Sequence, residues 1–218
     1  MQYIKCIEMF FPTNPQAGDI TVMRKEKIIA IGASTGGVDA LELLFAEFPI
    51  NIPPVLVVLH MPVGFTRLFA MRMDDKNMVK IKEAESGDVL KNGTVFIAPA
   101  GQHMTVTKKQ GKYTLECAIG EKVHSVIPSA DVLFESIANE PGLSAIGVIL
   151  TGLGADGARG LLKMRESGAE TIGQDKETCV IYGMPKVAFT MNAVKYQLPL
   201  GKIAEKIFSL SNLHKGGA

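Results

Sequence analysis

The feature that most constrains the fold is a repeated order of apolar β-rich run, glycine-rich corner and helical pattern. The first example is the run 27–31, which breaks into Gly-Ala-Ser-Thr-Gly-Gly at 32–37 before a helical pattern starts at Val38. Such a corner brings a polar side chain to the carboxyl edge of a parallel sheet, where helix N–H groups are unpaired. Ser34 stands in this corner. It is a candidate nucleophile, phosphate-loop hydroxyl or helix N-cap.

The same alternation continues along the chain and predicts the fold class. Further strands are predicted at 54–59, 94–98, 145–150 and 170–173, and helices at 65–73, 130–139, 158–166, 184–191 and 199–210. Ser129 is predicted to cap the helix at 130–139. Segments 104–107 and 112–117 alternate around a Gln-Gly turn, which indicates a hairpin. We therefore expect an α/β fold: a doubly wound, mostly parallel sheet flanked by helices, with an antiparallel β-hairpin at one edge.

Three segments differ in composition, and they predict the domain organisation. Residues 1–26 contain prolines and glycine that interrupt any regular pattern, so they are predicted to be a linker or N-terminal extension. Residues 27–210 carry the strand and helix signals and form the predicted main domain, and 211–218 are predicted to be a flexible tail. With 218 residues and 47% hydrophobic content, the chain can bury one large core.

Composition argues against several function classes. Lys and Arg number 23 against 22 Asp and Glu, which gives a net charge of +1 and no basic footprint for nucleic acid. Cys6, Cys117 and Cys179 are too widely spaced to suggest a disulfide framework or a zinc site. No apolar stretch reaches the roughly 18–20 residues of a membrane span, and the N-terminus makes a poor secretion signal. We therefore expect a cytoplasmic protein without membrane insertion.

Polar side chains with complementary chemistry follow three of the predicted strands. Ser34, His60 and Asp156 supply a hydroxyl, an imidazole and a carboxylate. If their strands run parallel in one sheet, the three groups meet at one edge of that sheet. A hydroxyl, an imidazole and a carboxylate are the groups that nucleophilic acyl transfer uses. Each group also has a structural alternative, as a helix cap, a buried histidine or a helix-dipole partner. The remaining histidines are weaker candidates for the base: His103, His124 and His214.

The third corner also fits a competing motif. Segment 152–157 matches the dinucleotide fingerprint G-x-G-x-x-G, follows a predicted strand, and has Asp175 about twenty residues further on. Two features count against it: the motif comes late in the chain, and the Asp156 carboxylate would repel a pyrophosphate. A non-catalytic dinucleotide-binding module is therefore the alternative function. A Walker-type phosphate loop is excluded because no Lys-Ser or Lys-Thr follows 32–37.

Several blocks, in order, resemble the catalytic domain of the chemotaxis receptor methylesterase family (CheB). They are IGASTGG at 31–37, HMPVGFTR at 60–67, VFIAP at 95–99, SADVLF at 129–134, GVILTGLGADG at 147–157 and YGMP at 182–185. The resemblance implies that Ser34 is the nucleophile, His60 the general base and Asp156 the acid that orients the base. It implies hydrolysis of glutamate γ-methyl esters on chemoreceptors, with release of methanol, and also deamidation of glutamine.

The same resemblance implies further contacts and partners. The oxyanion is expected at N–H groups near Thr35, Gly36 and Gly37, with help from the loop of Leu153, and Arg67 is expected to contact the receptor. The implied partners are the cytoplasmic helical bundle of a methyl-accepting chemoreceptor and a regulatory receiver domain, which this sequence lacks. No metal or other cofactor is implied. A hydrolase of general small esters is the second alternative.

Overall fold

The computed structural model describes residues 26–213, which form alternating strands and helices. The strands are β1 Lys27–Ala33, β2 Val55–Leu59, β3 Lys80–Glu83, β4 Thr94–Ile97, β5 His103–Lys109, β6 Lys112–Ala118, β7 Ser144–Ile149, β8 Glu170–Gln174 and β9 Tyr196–Leu198. The helices are α1 Gly37–Glu47, α2 Phe65–Lys76, α3 Ala130–Ala138, α4 Ala158–Glu166, α5 Met184–Thr190 and α6 Leu200–Ser211. The predicted residues 1–25 of the extension and 214–218 of the tail lie outside the described part.

Seven strands form one parallel sheet in the order β3-β4-β2-β1-β7-β8-β9. Beyond Lys27 and Ser144 at their starts, the central strands β1, β2 and β7 are apolar because helices cover both faces. In β1, for example, Ile29 and Ile31 enter one core, whereas Ile28 and Ala30 enter the core on the opposite face. The predicted doubly wound α/β fold is confirmed.

The two faces of the sheet carry different helices. Apolar side chains of α1, α2 and α6 pack on one face, including Phe45, Phe69 and Phe208. Those of α3, α4 and α5 pack on the other, where Phe134 and Leu161 are fully buried. Every helix within residues 26–213 is too short or too polar to span a lipid bilayer.

The predicted antiparallel hairpin is present, and it forms a two-stranded sheet of its own. Strands β5 and β6 pair antiparallel as a separate two-stranded sheet, while β3 and β9 form the edges of the parallel sheet. The hairpin's apolar face, with Met104 and Leu115, joins the core under α3, and Ser136 of α3 bonds to the N–H group of Val106. Side-chain packing onto a helix therefore replaces backbone pairing with the large sheet.

Two short strands were missing from the prediction. β3 is four residues long with three charged side chains, and β9 is only three residues long. Both lie at edges, where one side of the strand needs no partner and an apolar run is not required. The last helix extends to Ser211, and Leu213 packs against the core. The predicted domain boundaries at residues 26 and 210 stay predictions.

The order of the strands creates a switch point at β1. β1 lies between β2 and β7, and the chain leaves β1 towards β2 on one side and reaches β7 later on the other. Ligands of open α/β sheets bind beyond the carboxyl ends of the strands at such a switch point. The corners that follow β1, β2 and β7 all lie there.

Candidate active site

Ser34 follows directly after β1, and its backbone is held from two sides. Its N–H group donates to the carbonyl of Thr151 at 3.0 Å, and its own carbonyl accepts from the N–H group of Gly37 at 2.7 Å. The first contact ties the corner after β1 to the corner after β7. Ser34 is half-buried. Its backbone is therefore held at the rim of the sheet, and its side chain is not sealed in the core.

The helix after Ser34 begins without a side-chain cap. Its N-cap residue is Gly36 at φ 80°, a left-handed conformation that favours glycine, and a Cβ there would lie 2.6 Å from Val180. Ser34 is therefore not the N-cap of α1, which removes the structural alternative for this residue. Within residues 26–213 the N–H groups of Thr35 and Gly36 form no hydrogen bond, whereas that of Gly37 is occupied by Ser34. Thr35 and Gly36 are the free candidate donors to an oxyanion.

His60 follows β2 and lies beside Ser34 because the strands are paired in register. Ala33 stands opposite Leu59, and the N–H group of His60 donates to the carbonyl of Ala33 at 3.1 Å. The imidazole Nε2 lies 2.9 Å from Oδ2 of Asp156. With Nε2–H donating to the carboxylate, Nδ1 is left as the basic nitrogen. Within residues 26–213 the Ser34 hydroxyl forms no hydrogen bond with this ring; such contacts are often long without substrate.

Asp156 is buried, yet its carboxylate is surrounded by donors. Besides His60, it accepts from the hydroxyl of Ser129 at 2.5 Å and from the N–H groups of Ala130 at 2.7 Å and Asp131 at 3.2 Å. Burial by itself raises the pKa of Asp156, but the hydrogen bonds from His60, Ser129 and the backbone lower this pKa below its usual value. A charged carboxylate is therefore held against the imidazole at neutral pH.

Ser129 contacts Asp156, which was not predicted from the sequence. The predicted cap is confirmed, because the Ser129 hydroxyl accepts from the N–H group of Val132 at 3.5 Å. The same hydroxyl donates to Asp156, which lies 27 positions later. The capping pattern identified Ser129, but no local signal in the sequence links it to a particular carboxylate.

The glycine-rich loop after β7 packs directly on Ser34. A Cβ at Gly152 would lie 2.7 Å from Cβ of Ser34 and 2.3 Å from Sδ of Met184. Its N–H group donates to the carbonyl of Ile181, and its carbonyl accepts from the N–H group of Met184. The backbone N–H and carbonyl groups of the first glycine in the G-x-G-x-x-G motif are thus already hydrogen-bonded within the protein. This packing counts against the dinucleotide alternative.

Thr151 connects the two loops that flank Ser34. Its buried hydroxyl donates to the carbonyl of Thr35 at 2.9 Å and accepts from the N–H group of Ile181 at 3.0 Å. Its own N–H group donates to the side-chain carbonyl of Gln174, a buried residue of β8, at 2.8 Å. This network fixes Thr35 and hence the direction of its neighbouring N–H groups. No local pattern in the sequence points to this role of Gln174.

The predicted contact residues Leu153 and Arg67 are both exposed. Leu153, 71% exposed, lies in the loop after β7, and Arg67 lies in the first turn of α2. Arg67 forms no ion pair with any residue between 26 and 213, and its side chain is exposed. Contact of Leu153 and Arg67 with a substrate stays a prediction.

Two of the other histidines have different partners. Nδ1 of His103 accepts from the N–H group of Ser129 at 3.2 Å, while Nε2 of His124 lies 2.8 Å from Asp131. His124, Asp131 and Asp156 offer ligand atoms within 4.8 Å of one another. The carboxylates in this group are already bonded within the protein, Asp131 also to the N–H group of Gly160. His214 lies outside the described residues.

A comparison with protein-family models agrees with this geometry. The CheB methylesterase model matches residues 29–207, which include all three strand ends. The chain belongs to the CheB methylesterase family. The structure is also similar to the crystal structure of the Thermotoga maritima CheB methylesterase catalytic domain, with a TM-score of 0.81 and 40% sequence identity. The match covers 84% of this chain and 98% of the Thermotoga chain.

Curated relatives carry a double name. The chain is 50% identical over 185 residues to "Protein-glutamate methylesterase/protein-glutamine glutaminase 2" of Syntrophomonas wolfei, covering 85% of this chain and 54% of the relative. It is 48% identical over 201 residues to the protein-glutamate methylesterase/protein-glutamine glutaminase of Sulfurimonas denitrificans, covering 92% of this chain and 57% of the relative. The chain thus spans about half the length of these relatives. The Thermotoga structure, which this chain covers almost completely, is described as a catalytic domain.

Proposed function

We propose that this CheB-family chain hydrolyses glutamate γ-methyl esters of a protein substrate, with Ser34 as nucleophile, His60 as general base and Asp156 as the group that orients the base. The observation that carries the proposal is the His60–Asp156 contact at 2.9 Å, on the strand end next to Ser34. The names of the relatives support the reaction, including the deamidation of glutamine.

The geometry supports a two-step mechanism. In the first step Nδ1 of His60 takes the proton of the Ser34 hydroxyl while Oγ attacks the ester carbonyl, and that proton then leaves with methanol. In the second step His60 takes a proton from water, whose oxygen attacks the acyl-enzyme. The glutamate carboxylate is released and Ser34 is reprotonated. For a glutamine side chain, ammonia leaves in place of methanol. Asp156 stabilises the imidazolium formed in each step.

The developing oxyanion is proposed to bind at the start of α1. The free N–H groups of Thr35 and Gly36 are available there, and the positive end of the helix dipole favours a negative charge. The loop of Leu153 is the proposed second source of donors, and Gly37 contributes through the helix rather than through its own N–H group, which Ser34 occupies. Removal of one such donor typically costs about 2.7–4 kcal/mol of transition-state stabilisation.

An apolar rim around the site supports a macromolecular substrate. Directly after His60, the side chains of Val63, Phe65 and Leu68 are 77%, 54% and 62% exposed, and Val180, packed against Gly36, is 64% exposed. Clusters of exposed apolar side chains mark protein interaction surfaces. We propose that this rim and Arg67 contact the cytoplasmic helical bundle of a chemoreceptor, so that the reaction takes place in the cytoplasm.

A receiver domain is the proposed regulatory partner. The curated relatives are nearly twice as long as the part that this chain matches. A phosphoacceptor receiver domain, implied by the family resemblance, fits this additional length. Adding a phosphorylated receiver domain and measuring methanol release tests this partner; an unchanged rate argues against it.

The function is tested with methylated receptor membranes. Wild-type protein is expected to release methanol, whereas Ser34→Ala abolishes release but keeps the fold, since a half-buried hydroxyl at a loop is removed without a cavity. Circular dichroism and thermal unfolding check the fold. Methanol release at an unchanged rate by the folded Ser34→Ala variant would end the assignment.

Two further measurements separate the alternatives. Titration with NAD and ATP is expected to show no binding, whereas binding would favour a nucleotide module. The rates on receptor and on p-nitrophenyl esters distinguish a receptor esterase from a general hydrolase of small esters. A small-ester rate that exceeds the receptor rate would favour the general hydrolase.

A further inference from the structure

We propose that Ser129 is a positioning residue for the reaction, because its buried hydroxyl fixes the plane of the Asp156 carboxylate and thereby the ring of His60. The inference rests on the proposed function of Ser34, His60 and Asp156. Ser129 is fully buried at the first position before α3, so it cannot reach a substrate. Its effect on the reaction has to pass through Asp156.

The two oxygens of Asp156 are held by different groups. Oδ2 faces His60 at 2.9 Å and the N–H group of Ala130 at 2.7 Å. Oδ1 accepts from the Ser129 hydroxyl at 2.5 Å and from the N–H group of Asp131 at 3.2 Å. Without the hydroxyl, only the longer contact holds Oδ1. The carboxylate then gains freedom to rotate about its Cβ–Cγ bond, and Oδ2 moves relative to the imidazole.

The surroundings of Ser129 direct its single hydroxyl proton. The oxygen accepts from the N–H group of Val132, so its proton is available for Asp156. The backbone of Ser129 is anchored separately, because its N–H group donates to Nδ1 of His103 at 3.2 Å. The start of α3 thus delivers one side-chain donor and two backbone donors to the same carboxylate. Among these, only the side-chain donor can be removed without changing the backbone.

The test compares Ser129→Ala with wild-type protein in the full chain. The first readout is the rate at which a fluorophosphonate probe labels Ser34, which reports the reactivity of the hydroxyl without requiring a receptor. Loss of a hydrogen bond to a charged group is expected to slow labelling roughly ten- to a hundredfold. The second readout is the imidazole N–H proton of His60 in ¹H NMR, which resonates far downfield while it is bonded to a carboxylate and is expected to move upfield or broaden.

Matched variants separate positioning from a general effect on α3. Ser136 lies on the same helix, and its hydroxyl bonds to Val106 and Leu133, away from Asp156. Ser136→Ala is expected to label at the wild-type rate with an unchanged His60 resonance. Ser129→Thr keeps the hydroxyl and is expected to restore most of the rate. If Ser129→Ala does not fold, Ser129→Cys replaces it, because a thiol fills the space but donates weakly.

Each outcome decides a separate question. Labelling of Ser129→Ala or its cysteine substitute at the wild-type rate overturns the proposal, and so does slower labelling with an unmoved His60 resonance. A wild-type protein whose Ser34 is not labelled contradicts the proposed function instead. The His60 resonance still reports whether Ser129 acts through Asp156 in that case.

Discussion

At the scale of single residues, Asp156 combines two opposing physical effects. Its burial disfavours the charged form, while four hydrogen-bond donors favour it, and the net result is a pKa below the usual value. Asp156 lies one residue before Gly157, the N-cap of α4, where an aspartate often interacts only with its own helix. Here its partners lie directly after β2 and at the start of α3, so its role depends on contacts between distant segments.

Replacing this carboxylate is expected to lower stability in a pH-dependent way. The folded pKa lies below the unfolded value of 3.8, so the stabilising effect of Asp156 is fully present above pH 3.8 and is lost as the pH falls through the folded pKa. Asp156→Asn should therefore cost about 1–3 kcal/mol in free energy of unfolding at pH 7 and less in acid. Its turnover should fall by about 10³–10⁴.

Urea unfolding at pH 7 and below pH 3 measures the change in stability. Asp39→Asn is the control, because the Asp39 side chain is exposed on α1 and its loss should cost less than about 0.5 kcal/mol. A destabilisation by Asp156→Asn that stays constant down to the lowest pH would contradict the direction of the pKa shift.

At the scale of elements, the corners after β1 and β7 depend on close approach of backbone segments. The N–H group of Ser34 reaches Thr151 because Gly152 carries no side chain between the two loops. Gly36 serves a different need, since its φ of 80° turns the chain into α1 and leaves the helix start uncapped. The glycines of these corners therefore place Ser34 as much as the strand does.

Gly152→Ala is expected to inactivate the enzyme. Its new Cβ would lie 2.7 Å from Cβ of Ser34 and only 3.1 Å from the Ser34 backbone nitrogen, so Ser34 has to move. We expect a loss of about 1–3 kcal/mol in stability and of at least ~100-fold in methanol release.

Gly201→Ala provides a contrasting variant. Gly201 lies exposed in α6, and a Cβ there meets nothing within 4 Å. Gly201→Ala should raise the free energy of unfolding by up to about 1 kcal/mol and keep full activity. Thermal unfolding and the methanol assay compare the two variants, and wild-type activity in Gly152→Ala would refute the close-contact argument.

At the scale of the whole molecule, the site lies where the strand order changes direction, and one side of it is apolar. Val38, Met61, Phe65 and Leu68 border a surface depression of about 260 Å³ between the starts of α1 and α2. This surface adjoins His60 through Met61. It offers a protein substrate a place to pack close to the reacting group.

A charge on this surface should affect large and small substrates differently. Leu68→Glu is expected to lower methanol release from receptor membranes about tenfold, since an acidic side chain disrupts apolar packing and repels an acidic receptor. Its rate on a p-nitrophenyl ester should stay unchanged. Met78→Glu is the matched control, because Met78 is also exposed but lies at the amino edge of the sheet, away from the site. Equal losses on both substrates, or equal effects of both variants, would contradict a docking role.

Most strands and helices, and the order of the chemical groups along the chain, could be predicted from the residues alone. Strands β1, β2 and β7 are apolar because both faces are covered, and this local pattern is legible without a structure. The three polar corners follow from the same pattern. The apolar pattern did not predict β3 and β9, because a strand at the edge of a sheet does not need an apolar run.

Which of these groups meet could not be predicted from local sequence, because it depends on how distant segments pack. His60 and Asp156 are 96 positions apart, and His124 forms a second contact with a carboxylate that no local pattern distinguishes from the first. The structure also placed the hairpin outside the main sheet. It showed as well that Gly37 is occupied and that Ser129 supports Asp156. Local periodicity reflects which face of a strand or helix is buried, whereas these contacts depend on strand order and loop packing, which arise only when distant segments come together.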